Sequence, residues 1–386
     1  MKRYAISAVA ALMLMSCGTK TGNKAVETAE ETATPASALL ALMSEAAKQG
    51  KYMVGHHDDT AYGYEWQYEE GRSDVKETAG DYPGVINWDL GLIELDSAKE
   101  LDGVPFEFIA EEVAKQNARG GVNSFSWHLR HPGTRATSWD VQPPVVAEIV
   151  TEGTAMNDTM VTWIGRAADF IGSLRDADGN RIGVLFRPWH EHTGSWFWWG
   201  KDLCSPEDYK ALWALTRKVF DEKGIDNVVW VYSPGQITDE AEYLERYPGD
   251  EYVDVLGCDI YHYGGEPATD DYRMNVNNTL GIAKKLADER GKLIALSETG
   301  LEALPMDGWF TEVLGPLCDA YPITSVTLWR NAEKNSKHEH FYAPYKGHPS
   351  EKSFAEWTAG SSPMLASDVA ALRKSMNDTT KTAGTN

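Results

Sequence analysis

Continuous apolar runs recur along the chain, each followed by a stretch in which apolar side chains return every three or four positions. The runs are Tyr52 to His57, Gly84 to Asp89, Val122 to His128, Arg181 to Arg187, Asn227 to Ser233, Val253 to Tyr261, Leu293 to Glu298 and Ser325 to Arg330. Ile182, Val184, Leu185 and Phe186 are apolar without alternation, the pattern of a parallel strand covered on both faces, and Pro188 should end its pairing. The intervening stretches carry helix punctuation. Leu39, Leu40, Leu42, Met43 and Ala46 form one apolar face that Gly50 stops. Pro105 opens a helix with Phe106, Ile109, Ala110 and Val113 on one face and Gly120 and Gly121 at its end. Ser205 is an N-cap, with Pro206 at the first helical position and Asp208 three residues on. Further helices are read from Met160 to Leu174, Leu280 to Arg290 and Ser367 to Lys374. Eight strands separated by helices, with no Gly/Pro-rich domain linker, predict one α/β domain, a single (β/α)8 TIM barrel.

The ends read differently. Lys2 and Arg3 precede an apolar stretch from Ala5 to Met15 that is too short to span a bilayer, as in an export signal. Leu14, Met15, Ser16 and Cys17 resemble the lipobox of bacterial lipoproteins, which implies acylation of Cys17 as the mature N-terminus. The expected organisation is a signal at 1–17, a flexible tether at 18–37, the barrel at 38–376 and a disordered tail at 377–386. The protein would be exported and lipid-anchored to a bacterial membrane, on the periplasmic or cell-surface face of an outer membrane.

Composition narrows the partner. Among 386 residues are 14 Trp and 17 Tyr, and the net charge of −22 argues against nucleic acid, so a neutral ligand fits best. Beyond Cys17 only Cys204, Cys258 and Cys318 remain, an odd number without metal-site spacing, expected as small buried side chains.

In a barrel of this kind the reactive groups sit at the C-terminal ends of the strands. Those ends offer His56 and His57, Asp89, His128, His190 with Glu191, Asp259 with Tyr261, Glu298, and Trp329 with Arg330. Two glutamates across one mouth are the apparatus of glycoside hydrolysis, in which one carboxyl stays protonated and the other is ionised. Tyr261 is positioned to donate to Glu298, while aromatic walls and a nearby negative charge would keep the proton on Glu191. The aromatic run Trp189, Trp196, Phe197, Trp198 and Trp199 reads as a wall for sugar rings, with Trp196, Trp139 and Trp329 as stacking platforms. No metal is expected: His56, His57, Asp58 and Asp59 are neighbours whose side chains alternate across a strand, and His190 and His192 lack the i, i+4 spacing of a zincin helix.

The ordered motifs Ser126-Trp127-His128, Arg187-Pro188-Trp189-His190-Glu191 with Gly194 to Gly200, Tyr247 to Asp250 leading to Asp259-Ile260-Tyr261, Ser297-Glu298-Thr299-Gly300, and Trp329-Arg330 resemble glycoside hydrolase family 26 from about Ala36 to Pro349. The resemblance implies a retaining endo-β-1,4-mannanase on a (β/α)8 barrel, without cofactor, acting on β-mannan polysaccharide or oligosaccharide. It implies Glu191 as general acid/base and Glu298 as nucleophile, with His128, His190, Trp196, Tyr261 and Arg330 lining the subsites around the cleaved bond. Asp259 joins that set either at the substrate or as a brace for Tyr261 or Arg330, and His190 either touches sugar or orients its neighbours. Other readings are a mannobiose-releasing or other β-glycan hydrolase, a non-catalytic glycan-binding lipoprotein, and a metal-dependent hydrolase. The loops Arg130 to Asn157 and Gly264 to Asn278 are where chain-end and internal cleavage would be decided.

Overall fold

A computed structural model describes residues 33–331 and 340–383; Cys17 and most of the expected tether lie outside the described residues. Eight parallel strands form the barrel: β1 Tyr52–His57, β2 Val85–Asp89, β3 Val122–Ser126, β4 Val184–Arg187, β5 Val228–Tyr232, β6 Val255–Tyr261, β7 Leu293–Gly300 and β8 Ile323–Leu328. Each pairs with the next, and β8 returns to β1 with Val326 opposite Val54 and Leu328 opposite His56, which closes the barrel. Each strand overlaps one of the runs read from the sequence, with β7 extending past its run to Gly300 and β8 beginning two residues before its own. β3 and β4 are shorter than those runs, so His128 stands beyond its strand, and the β4 ladder stops before Pro188 as its missing N–H requires.

The barrel is filled and stoppered by apolar side chains. Met53, Val85, Val122, Leu185, Val229, Val231, Val255 and Ala295 form one cluster with Leu39, Leu42, Met43 and Ala46 of helix α1 (Pro35–Lys48), which covers the N-terminal end of the strands. Thr34 caps α1 by accepting from Ser37 N at 3.1 Å, with Pro35 at the first turn. Around the barrel lie α2 (Phe106–Arg119), α3 (Ala155–Ser173), α4 (Pro206–Glu222) and α5 (Thr269–Arg290). Gly120 ends α2 at φ 96°, a conformation that costs any residue with a Cβ.

Two expectations need correction. The tail from 377 is not without structure, since the last helix, α6, runs Ala366–Ala383. No Gly or Pro interrupts it there, and Thr379 folds its hydroxyl back onto the Ser375 carbonyl at 2.9 Å. The aromatic run is largely core: Trp189, Phe197, Trp198 and Trp199 are buried, and only Trp196 is exposed. Each buried indole N–H has an internal acceptor, Thr216 Oγ1 for Trp189 at 3.1 Å, the Leu129 carbonyl for Trp198 at 3.3 Å and the His190 carbonyl for Trp199 at 2.8 Å. Satisfied in this way, an indole ring can leave water entirely. Cys258 and Cys318 are buried and Cys204 is half-buried, all three free thiols.

Candidate active site

Glu191 is presented by a strained turn. After β4 the backbone enters the left-handed region at Trp189 (φ 55°) and again at Glu191 (φ 53°), which costs a side-chain-bearing residue roughly 1–3 kcal/mol and persists only where packing dictates it. Here it does. Trp189 is locked in the core, its carbonyl accepts from Tyr209 at 2.7 Å, and Glu191 N donates to the Ser233 carbonyl just past β5 at 2.8 Å. The Glu191 carboxyl then meets the indole N–H of Trp196 at 2.7 Å. Burial in the cleft, followed by the negative charge of Glu298, raises Glu191 to about 7, so it holds a proton far above the ordinary carboxyl range.

Glu298 comes from β7, where a register irregularity between Cys258 and Asp259 sets Asp259 directly opposite it. Tyr261 donates its hydroxyl to Oε1 at 2.5 Å and Arg187 donates to Oε2, so a donor faces each oxygen, the arrangement a carboxylate requires. Arg187 is itself buried and spends its other branch on Asp259 Oδ2 at 2.5 Å. One guanidinium from the end of β4 thus ties together carboxylates from β6 and β7. Asp259 was expected near substrate or as a brace for Tyr261 or Arg330. Instead it is buried against Arg187, because the end of β4 puts the cation between the two acids.

A relay of histidines flanks the pair. His128 Nδ1 lies 2.7 Å from Asp89 Oδ2, and its Nε2 meets His190 Nε2 at 3.1 Å. Burial pulls the His128 imidazole down, but the charge and hydrogen bond of Asp89 more than offset it and raise the group. His190 is held well below its ordinary value by burial and by the charge of Arg187. One of the two Nε2 atoms donates to the other, which ties His190 to the His128–Asp89 pair. His190 is buried, which fits the orienting role better than a direct contact with sugar.

Beside the carboxylates lies a cavity of about 370 Å³ whose walls include His128, Trp139, Trp329, Arg330, Asp89 and Asp102. Trp139 is 61% exposed and Trp196 is 40% exposed, so both offer ring surface to a ligand. Trp329 packs on His57 with centroids 4.3 Å apart, and Arg330 pairs with Asp102 at 3.2 Å. On the other side, Tyr263 is 75% exposed and stacks on Tyr261 at 5.6 Å, within the electrostatic reach of both glutamates. The fold thus brings Glu191, Glu298, His128, His190, Trp196, Tyr261, Trp329, Arg330 and Trp139 to one rim, with Asp259 beneath it. Arg187, Asp89, Asp102 and Tyr263 had no assigned role in the sequence. Arg187 and Asp89 stood at strand ends and were open to the same reasoning; Asp102 and Tyr263 sit in loops that no periodicity places.

The fold and site define a TIM-barrel protein with two carboxyls in contrasting environments at the C-terminal rim. The sequence model of Glycosyl hydrolase family 26 matches residues 28–311, and the chain belongs to that family. It is 30% identical over 317 residues to a mannan endo-1,4-beta-mannosidase of Bifidobacterium adolescentis, covering 77% of this chain and 31% of that protein. A mannan endo-1,4-beta-mannosidase of Thermothelomyces thermophilus is 32% identical over 247 residues, 60% of this chain and 45% of that protein, so the chain spans less than half the length of these two curated relatives. Among solved structures, a GH26 beta-mannanase from Bacteroides ovatus superposes with a TM-score of 0.83 at 45% identity, over 86% of this chain and 95% of that one.

Proposed function

We propose that the protein is a retaining mannan endo-1,4-β-mannosidase in which Glu298 is the nucleophile and Glu191 the acid/base. The observation that carries this reading is the contrast between the two carboxyls: Glu191 holds a proton near neutrality, while Glu298 takes a donor on each oxygen from Tyr261 and Arg187. Glu298 attacks the anomeric carbon as Glu191 protonates the departing glycosidic oxygen, giving a glycosyl ester on Glu298 and a free sugar hydroxyl. Loss of charge on Glu298 in that ester removes one of the effects that hold the Glu191 proton. Glu191 is thereby readied to take a proton from the water that hydrolyses the ester. Trp196, Trp139 and Trp329 supply ring faces for sugar units, and His128 and Arg330 supply donors to their hydroxyls.

The names of the mannosidase relatives support β-1,4-mannan as substrate. Product analysis on linear mannan, galactomannan and glucomannan tests it. A ladder of oligosaccharides early in the reaction supports internal cleavage, disaccharide alone replaces it with a chain-end mode, and binding without release of sugar contradicts hydrolysis. We also propose that Cys17 is acylated and that the residues between it and Thr34, the cap of α1, tether the barrel to a bacterial membrane, a reading supported by the lipobox-like Leu14 to Cys17; the expected tether boundary at 37 moves back because Pro35 to Ser37 belong to α1. Detergent-phase partitioning of the expressed protein should be lost on Cys17→Ala.

A further inference from the structure

We propose that His57, Asp58 and Asp102 form a binding site for a divalent cation of the zinc or manganese class, opening on the cavity beside the two glutamates. The reading that neighbouring strand residues face apart fails at this point in the chain. β1 ends at His57, and Asp58 turns into the left-handed region at φ 52°, so the two side chains converge instead of alternating. Asp102 arrives from the loop before α2, and one ligand atom from each of the three lies within 4.8 Å of the others. His57 Nε2 stands 3.2 Å from the Asp58 carboxyl, so the two side chains meet at one point.

Two atoms in this cluster are orphaned. His57 Nε2 and Asp58 Oδ1 have no hydrogen-bond partner although both residues are fully buried. Buried polar atoms are ordinarily satisfied by some partner. Asp58 and Asp102 share the guanidinium of Arg330, and His57 lies against Asp58. Tyr62 donates to Asp58 Oδ2 at 2.7 Å, and the Arg330 pair uses only Oδ1 of Asp102, so each carboxylate keeps an oxygen.

One imidazole nitrogen and two carboxylate oxygens suit a borderline cation, with water completing its shell from the cavity that Asp102 lines. Ligation by Nε2 places the His57 proton on Nδ1, and the Asn87 amide, whose nitrogen lies against Nδ1, would have to turn over so that its oxygen receives that proton. The cation would fix the wall of the cavity, because Trp329 packs on His57 and Arg330 pairs with Asp102.

The test uses the full chain, purified without a metal-affinity tag, stripped with chelator, then titrated separately with Zn²⁺ and Mn²⁺. Binding of one equivalent of either ion by elemental analysis, with a rise of a few degrees in the unfolding temperature, supports the site. Both effects should vanish in His57→Asn and Asp102→Asn. Absence of saturable binding by either ion overturns it, and so does binding that survives in both variants. Should the variants fail to fold, Co²⁺ added to the stripped wild-type chain decides: visible bands of mixed nitrogen and oxygen ligation support the site, and their absence overturns it.

Discussion

Tyr261 donates its hydroxyl to Glu298 Oε1 at 2.5 Å from the neighbouring strand, while Arg187 holds the other oxygen of the same carboxylate. A hydrogen bond to a charged group contributes roughly 1.5–3 kcal/mol. Tyr261→Phe is therefore expected to lower kcat by roughly 10- to 150-fold while leaving the fold intact. Steady-state kinetics on a mannooligosaccharide, with a circular dichroism spectrum as control, check this.

The protonated state of Glu191 sets the alkaline limb of activity. With its value at about 7, kcat/KM should fall as pH rises through that region. Because the folded-state value lies above the ordinary 4.5, this group contributes stability that is fully present below about pH 4.5 and is lost as pH rises through about 7. Glu191→Gln should abolish that component of the stability profile and reduce kcat/KM by roughly 10²- to 10⁴-fold on an unactivated glycan. Kinetics and thermal unfolding across pH 4 to 9 read both.

Trp196 acts on the same proton from the opposite direction. Its N–H, 2.7 Å from Glu191 Oε2, lowers Glu191 against the burial and the charge of Glu298 that raise it. Trp196→Phe keeps a ring for sugar and removes the donor. The alkaline limb should move to higher pH, with any change in KM smaller than that in Trp196→Ala.

Arg187 carries the largest structural burden at the rim. It is buried between Asp259 and Glu298, and Arg187→Met would leave two acids facing each other without a cation. Removing one partner from a buried ionic cluster costs about 3–5 kcal/mol. Denaturant unfolding at pH 7 should register that loss, and it should shrink at low pH, where the two acids can take up protons.

The barrel was legible because burial on both faces leaves a continuous apolar run, and each of the eight runs from Tyr52 to Arg330 overlaps one strand, with β7 running on to Gly300 and β8 starting earlier, at Ile323. The chemical set was legible for a related reason: polar residues that close such runs, among them Glu191, Tyr261 and Glu298, have to emerge at one rim. What escaped depends on partners far along the chain. Nothing local says that Trp198 and Trp199 find carbonyl acceptors and go inside while Trp196 stays out, or that Asp259 meets Arg187 and not sugar. Asp58 looked like a strand neighbour of His57 until its backbone turned. The helical continuation through Ala383 was missed because residues without an apolar face give no periodic signal.

Identification of the residue that becomes covalently glycosylated bears most directly on the division of labour between Glu191 and Glu298. Incubation with a 2-deoxy-2-fluoro-β-mannosyl fluoride, followed by proteolysis and mass spectrometry, should place a single fluoromannosyl group on Glu298. A label on Glu191 or elsewhere, or turnover of a mannoside with inversion at the anomeric carbon, would contradict the roles assigned here.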